Sequence, residues 1–200
     1  MKPAIERRNF NMTEIRAITD EAGLRKVVGY ASVFNVLTDM GWYYEKVAPG
    51  AFTESINQDD IRSLKNHNAD YVIARKSKKH NTLALSEDSK GLFYEATPPD
   101  TQWMRDLMVS IDRGDIDQSS FGFQTLDDEW SMVDGKDCRT LKRCKLWDVS
   151  PVAYPQYPDA TVGLRSLEQH RKAIPKENNN LGLNVLLEEE DATYKTMIGL

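Results

Sequence analysis

Short runs of β-forming residues, each closed by Gly, Pro, Asn or Asp, recur along almost the whole chain, and only one stretch carries a strong helical period. Arg25–Phe34 (RKVVGYASVF), 61–66, 71–74, 82–86, 91–97, 116–126, 129–133 and 140–152 read as strands. An edge strand around Phe10–Ile18 and a last one at Thr161–Leu164 complete the set. Ser86-Glu-Asp-Ser-Lys-Gly91 has the composition of a hairpin turn, and Pro49 to Ile56 reads as a turn entering a short helix. The marked helix places Trp103, Met104, Leu107, Met108 and Ile111 at helical spacing, with Asp100 as N-cap and Gly114 as its stop. Its apolar stripe is a core face. Many strands and few helices predict a mainly β fold with packed helices (α+β), a barrel or a sandwich.

A chain of 200 residues with 40% apolar and 28% charged content suits one well-buried core with tails. The expected division is an N-terminal arm or edge strand over 1–20, a folded domain over 21–165 and a mobile tail over 166–200. The tail would hold a short helix over 166–176, a Pro-Lys-Glu-Asn-Asn-Asn linker and the acidic run Glu188–Asp191. A net charge of −5 argues against a nucleic-acid partner, and Lys76-Ser-Lys-Lys79 reads as a solvated loop. No run of about 18 apolar residues is present to span a membrane, and Met1–Met12 has no secretory apolar core. Cys138 and Cys144 are expected as structural thiols. With only His67, His80 and His170 beside them they make no zinc site, so neither a metal nor a cofactor is expected.

The segment Gln118-Ser-Ser-Phe-Gly-Phe123 carries the chemistry. Alternation puts Ser119, Phe121 and Phe123 on one face and Ser120 with Gly122 on the other. The phenylalanines belong in the core and take Ser119 with them. Ser120 then points outward, beside a glycine that leaves room for a ligand or another backbone. A serine hydroxyl needs a base, and His67, directly after a strand, is the histidine placed on the framework. His80 lies in a loop and His170 in the tail. Asp148, between Trp147 and Val149 and on the face of Ser150, is an acid able to orient an imidazole. Each has an inert reading as well: a strand serine, a turn histidine, an aspartate on a wet face.

Gly29-Tyr-Ala-Ser-Val-Phe34, Glu45 to Pro49-Gly-Ala-Phe52, Asn66-His67, Gly91-Leu92, Ser120-Phe-Gly-Phe123 and Leu146-Trp-Asp-Val-Ser150 follow one another in an order that resembles the prohead (capsid-maturation) serine protease family of tailed bacteriophages, distantly similar to herpesvirus assemblin. The resemblance spans about residues 25–165. It implies a β-barrel of the assemblin/prohead-protease type and a serine endopeptidase, with Ser120 as nucleophile, His67 as general base and acid, and Asp148 orienting His67. The family usually carries Glu where this chain has Asp148, and often Gly and Met where it has Gln118-Ser119. Implied substrates are the scaffolding region of the major capsid protein and the protease itself, cleaved inside the assembling prohead in the host cytoplasm. A homo-oligomer and a self-cleaved tail follow from the same resemblance. The competing readings are a catalytically inactive scaffold that binds capsid subunits on the same barrel, and a small-ester hydrolase. The latter lacks its Gly-x-Ser-x-Gly elbow. Neither cysteine has the context of a cysteine protease.

Overall fold

The computed structural model describes residues 5–8, 14–154 and 160–173. In chain order these form β1 (Glu6–Arg8), β2 (Ile15–Thr19), β3 (Arg25–Val33), β4 (Thr38–Asp39), β5 (Tyr44–Val47), α1 (Thr53–Gln58), β6 (Ile61–Lys65), β7 (Asn68–Lys76), β8 (Leu83–Glu87), β9 (Gly91–Ala96), α2 (Gln102–Asp112), β10 (Gln118–Val133), β11 (Lys136–Val152) and α3 (Ala160–Ala173). The fold is mainly β with a few helices. One sheet runs β1-β10-β11-β5-β4, with β6 also paired to β11 and β7 to β6; the second runs β2-β3-β9-β8. An isolated parallel bridge joins Phe34, just past β3, to Val47 on β5. The pairings describe two sheets, and no closed ring of strands is formed among the described residues.

Both sheets contribute to one apolar cluster. Val27 and Ala31 of β3 and Leu92 and Tyr94 of β9 join Phe121 and Phe123 of β10 and Leu146 and Val149 of β11. Met104, Leu107, Met108 and Ile111 of α2 enter the same cluster, as the helical spacing requires. Phe52 stands edge-on to Phe121, their ring centroids 5.3 Å apart. Above it, Glu87 accepts the Phe52 N–H at 3.0 Å and the Thr53 hydroxyl, so the start of α1 is capped from the β8 end.

Several sequence expectations are corrected. The expected strands 116–126 and 129–133 are not separate but one 16-residue strand, β10, which starts at Gln118. It turns through Asp134 and Gly135, both at positive φ (51° and 79°), into the 17-residue β11. Asp-Gly is the pair that a two-residue hairpin turn demands. Asp100 does not cap α2: Thr101 holds the N-cap position, and Asp100 instead pairs with Arg105. Gly114, at φ 78°, does end that helix. Thr161–Leu164 is helical, not a strand, because it opens α3. The β-branched pair Thr161-Val162 misleads there, while Leu164 and Leu167 keep a helical spacing. Residues 10–13 of the expected edge strand, and 174–200 of the expected tail, lie outside the described residues. The chain divides into two compact units, Met1–Leu164 and Arg165–Leu200, and every feature considered below belongs to the first. Among the described residues no helix is long and apolar enough to cross a membrane.

Candidate active site

The β10–β11 hairpin supplies two of the three candidate residues. Its antiparallel register sets Ser120 opposite Ser150 and Gly122 opposite Asp148. Phe123 then pairs with Leu146, so Trp147 is an extra residue on β11. This bulge lets Leu146 and Val149 both face the core while Asp148 and Ser150 face the other way. Simple alternation, which put Trp147 and Val149 on one face, misses it.

His67 arrives from a different hairpin. Asn66 and His67 form the tight turn between β6 and β7, both left-handed at φ 52° and 56°. Asn and His tolerate that region better than most residues. β6 runs parallel to β11, with Arg62 opposite Asp148 and Ser63 opposite Val149. The turn itself is tied to the end of β11: the Asn66 N–H donates to the Pro151 carbonyl at 2.9 Å, and Asn66 Oδ1 accepts the Ala153 N–H at 3.0 Å. Asn66 thus fixes the imidazole over the hairpin, a positioning role not assigned from sequence.

The three side chains meet in one line. His67 Nδ1 lies 2.6 Å from Asp148 Oδ1, and His67 Nε2 lies 2.8 Å from Ser120 Oγ. Ser150 Oγ donates to the same Asp148 Oδ1 at 2.6 Å. The buried carboxylate is therefore paired and hydrogen-bonded, as burial of a charge requires. Asp148 is 7% exposed and His67 8%. Ser150 could have been picked from sequence, since alternation already put it on the face of Asp148.

Two expectations about this strand need correction. Ser120 does lie on the face opposite the phenylalanines, but it is 0% exposed. β1 covers it, running antiparallel along β10 with Arg8 opposite Phe121 and Glu6 opposite Phe123, and Ser120 Oγ donates to the Arg8 carbonyl at 2.8 Å. Nor is the space over Gly122 open to a ligand. A Cβ there would lie 2.4 Å from Asp148 Oδ2, so the missing side chain makes room for the acid. Ser119 is buried on the core side, its hydroxyl 2.7 Å from that of Tyr94. His80 is exposed between β7 and β8, away from Ser120 in the pairing scheme.

On the core face of β10 sits a buried cluster of charges. Arg8 Nε lies 2.6 Å from Glu45 and its Nη2 2.7 Å from Glu6. Arg139 Nη1 reaches Glu6 at 3.0 Å and Glu45 at 3.1 Å, and its Nε reaches Asp128 at 2.6 Å. Burial works against both guanidinium charges, but Glu45 and Glu6 outweigh it and hold both groups above the ordinary arginine range. Cys138 and Cys144 are buried free thiols, and burial pushes the pKa of both upward. Among the described residues no three His, Cys, Asp or Glu side chains are grouped to hold a metal ion.

Comparison with known proteins bears on this constellation. A family model described as caudovirus prohead serine protease matches residues 11–173. The solved structure of the bacteriophage T4 capsid assembly protease, gp21, is similar over 76% of this chain and 99% of that one, at 11% identity and a TM-score of 0.45. No curated protein matches the chain.

Proposed function

The chain belongs to the caudovirus prohead serine protease family, and from that membership we propose that it is a serine endopeptidase with Ser120 as nucleophile, His67 as general base and acid, and Asp148 as the group that orients His67. The observation that carries the reading is the unbroken line Ser120 Oγ–His67 Nε2 and His67 Nδ1–Asp148 Oδ1, at 2.8 and 2.6 Å. Ser120 Oγ attacks a peptide carbonyl carbon while its proton passes to His67 Nε2. Asp148 stays ionised and stabilises the imidazolium that forms. His67 then gives the proton to the departing amine, the C–N bond breaks, and water hydrolyses the acyl-enzyme by the same proton path in reverse.

The substrates that follow from family membership are the scaffolding region of the major capsid protein and the protease itself, inside the assembling prohead in the host cytoplasm. On this reading 21–165 is the protease domain, 1–20 an arm and 166–200 a self-cleaved tail. The two sheets, bridged at Phe34 and Val47, are the walls of an assemblin-type barrel. The chain works as a homo-oligomer. A second reading, an inactive scaffold that binds capsid subunits, draws on the complete burial of Ser120.

The test is intact mass over time for the wild type and Ser120→Ala, each alone and with assembled capsid subunits, alongside labelling by a fluorophosphonate. Endopeptidase action predicts cleavage and one phosphonate adduct in the wild type only. Equal behaviour of the two proteins in every condition rules in favour of the scaffold.

A further inference from the structure

An acid that orients a histidine must itself be held still, and the strand register leaves few neighbours to hold Asp148. Gly122, across the β10–β11 hairpin, has no side chain to offer. Arg62, paired with Asp148 on the β6 side, places its guanidinium by Asp60, at 3.4 Å. His67 belongs to a separate hairpin and is the group to be oriented. What remains is the hydroxyl of Ser150, two residues along β11 on the same face.

A buried hydroxyl needs a partner, and finding one would by itself be an ordinary structural role. Three observations go further. Ser150 stands directly opposite Ser120 in the register, yet its hydroxyl turns along its own strand and donates to Asp148 at 2.6 Å. The oxygen it engages is Oδ1, the one that faces His67 Nδ1, also at 2.6 Å. The other oxygen is backed by Gly122, where a Cβ would lie only 2.4 Å from Oδ2.

These contacts divide one task. An aspartate carboxylate can swing at both of its side-chain torsions. Ser150 pins one oxygen, the backbone at Gly122 stops the other from turning, and Oδ1 is left with one place to be. Ser150 is 0% exposed, and a hydrogen bond shielded from water is electrostatically stronger than one in it. Pin and acid lie on the same strand, so the carboxylate is set without help from His67. The direction of the bond is independent of what the imidazole carries, because a carboxylate accepts and a hydroxyl can donate to it.

Resting on the protease reading, we propose that Ser150 is a positioning residue of the catalytic line. Its hydroxyl fixes the Asp148 oxygen that orients His67, and so it acts on the rate at Ser120 without touching substrate. The hydroxyl is what matters at this position, and its effect passes through the Asp148 carboxylate.

The experiment measures fluorophosphonate modification of Ser120 in the full chain by intact mass, with Ser120→Ala as blank. A series of phosphonate concentrations separates affinity from the limiting rate. Ser150→Ala is expected to lower the limiting rate at least ~10-fold, the size of a lost hydrogen bond to a charged group, with the affinity unchanged. Ser150→Thr keeps the hydroxyl on a residue that strands accept, and should bring the rate back toward the wild-type value. The replacement is then repeated on Asp148→Ala. A group that acts through the carboxylate loses its effect once the carboxylate is gone, so Asp148→Ala and Asp148→Ala/Ser150→Ala should agree within ~2-fold. Equal rates for wild type and Ser150→Ala overturn the proposal while leaving the protease reading intact. So does an equal loss in both backgrounds, which would make Ser150 a packing residue of β11. No adduct on any protein sinks both. If Ser150→Ala fails to fold, as circular dichroism would report, Ser150→Cys makes the same comparison, because it fills the space with a much weaker donor.

Discussion

Gly122→Ala would test whether the site depends on the fit of two neighbouring strands. A Cβ on Gly122 falls 2.4 Å from Oδ2 and 3.2 Å from Cγ of Asp148, where ordinary contact begins near 3.4 Å. The oxygen must therefore retreat by about 1 Å, and the rest of the carboxylate is not free to follow. Its Oδ1 is engaged at 2.6 Å by both His67 and Ser150. A shift of that size stretches one or both contacts to about 3.6 Å, where a hydrogen bond no longer counts as made. Each bond to a charged group contributes roughly 1.5–3 kcal/mol. A misplacement of about 1 Å in a catalytic arrangement costs on the order of 10²-fold in rate. The expected result is phosphonate labelling of Ser120 about 10²-fold slower than wild type, with the downfield proton resonance of the His67–Asp148 hydrogen bond lost and the far-ultraviolet circular dichroism unchanged. A variant that labels at the wild-type rate and keeps the resonance refutes the argument, since it would mean the acid does not need the space that glycine leaves.

Three further perturbations separate the roles of neighbouring groups. Ser119→Ala should leave labelling of Ser120 unchanged but lower stability to urea by about 1–3 kcal/mol, because the buried Tyr94 hydroxyl loses the Ser119 oxygen 2.7 Å away; loss of labelling instead would mean the wrong serine has been assigned. Arg139→Met should cost roughly 3–5 kcal/mol in the same urea titration, as Glu6 and Glu45 are left buried with one cation fewer, and a neutral result would show the cluster to be dispensable. Stability should also fall in alkali. Burial raises the Cys144 thiol above its ordinary 9.0 and the Tyr43 hydroxyl to about 12, and it raises Tyr94 as well. These groups hold their protons more tightly folded than unfolded, so their contribution is intact below about pH 9 and is lost as pH rises toward the folded values. A urea midpoint that holds from pH 7.5 to 9 and drops by pH 10.5 is expected; one that stays level throughout contradicts it.

Local pattern was enough to find β3 and β6 to β9, though not β1, β4 or β5, together with the apolar face of α2 and the opposite faces of Ser119 and Ser120. Alternation also put Ser150 beside Asp148. It could not reveal features created by pairing between distant segments. The extra residue at Trp147 exists only in the register of β11 against β10. The close approach of Asp148 to Gly122 is a cross-strand contact, so the glycine read from sequence as open space is in fact filled. The burial of Ser120 comes from a strand more than a hundred residues away in sequence. The continuity of β10 was hidden by Asp127 and Asp128, which look like a turn but sit at irregularities in the pairing of one long strand. The Asp134-Gly135 turn, by contrast, was open to reading from its two residues alone.

The β10–β11 hairpin also bears on the order in which the site is assembled. Ser120 and Asp148 stand 28 residues apart, yet they are joined through a two-residue turn, and pairing can zip from Asp134 and Gly135 outward with little loop-closure cost at any step. His67 must come from another hairpin and dock on β11 through a parallel, non-local contact. The expected folding sequence therefore brings nucleophile and acid together first and the base last. A chain still folding, or freshly released from the ribosome among its own kind, would hold a serine with nothing to take its proton. Pulsed hydrogen exchange during refolding can check this: amides of β10 and β11 should gain protection before those of β6 and β7, and the reverse order would remove the safeguard.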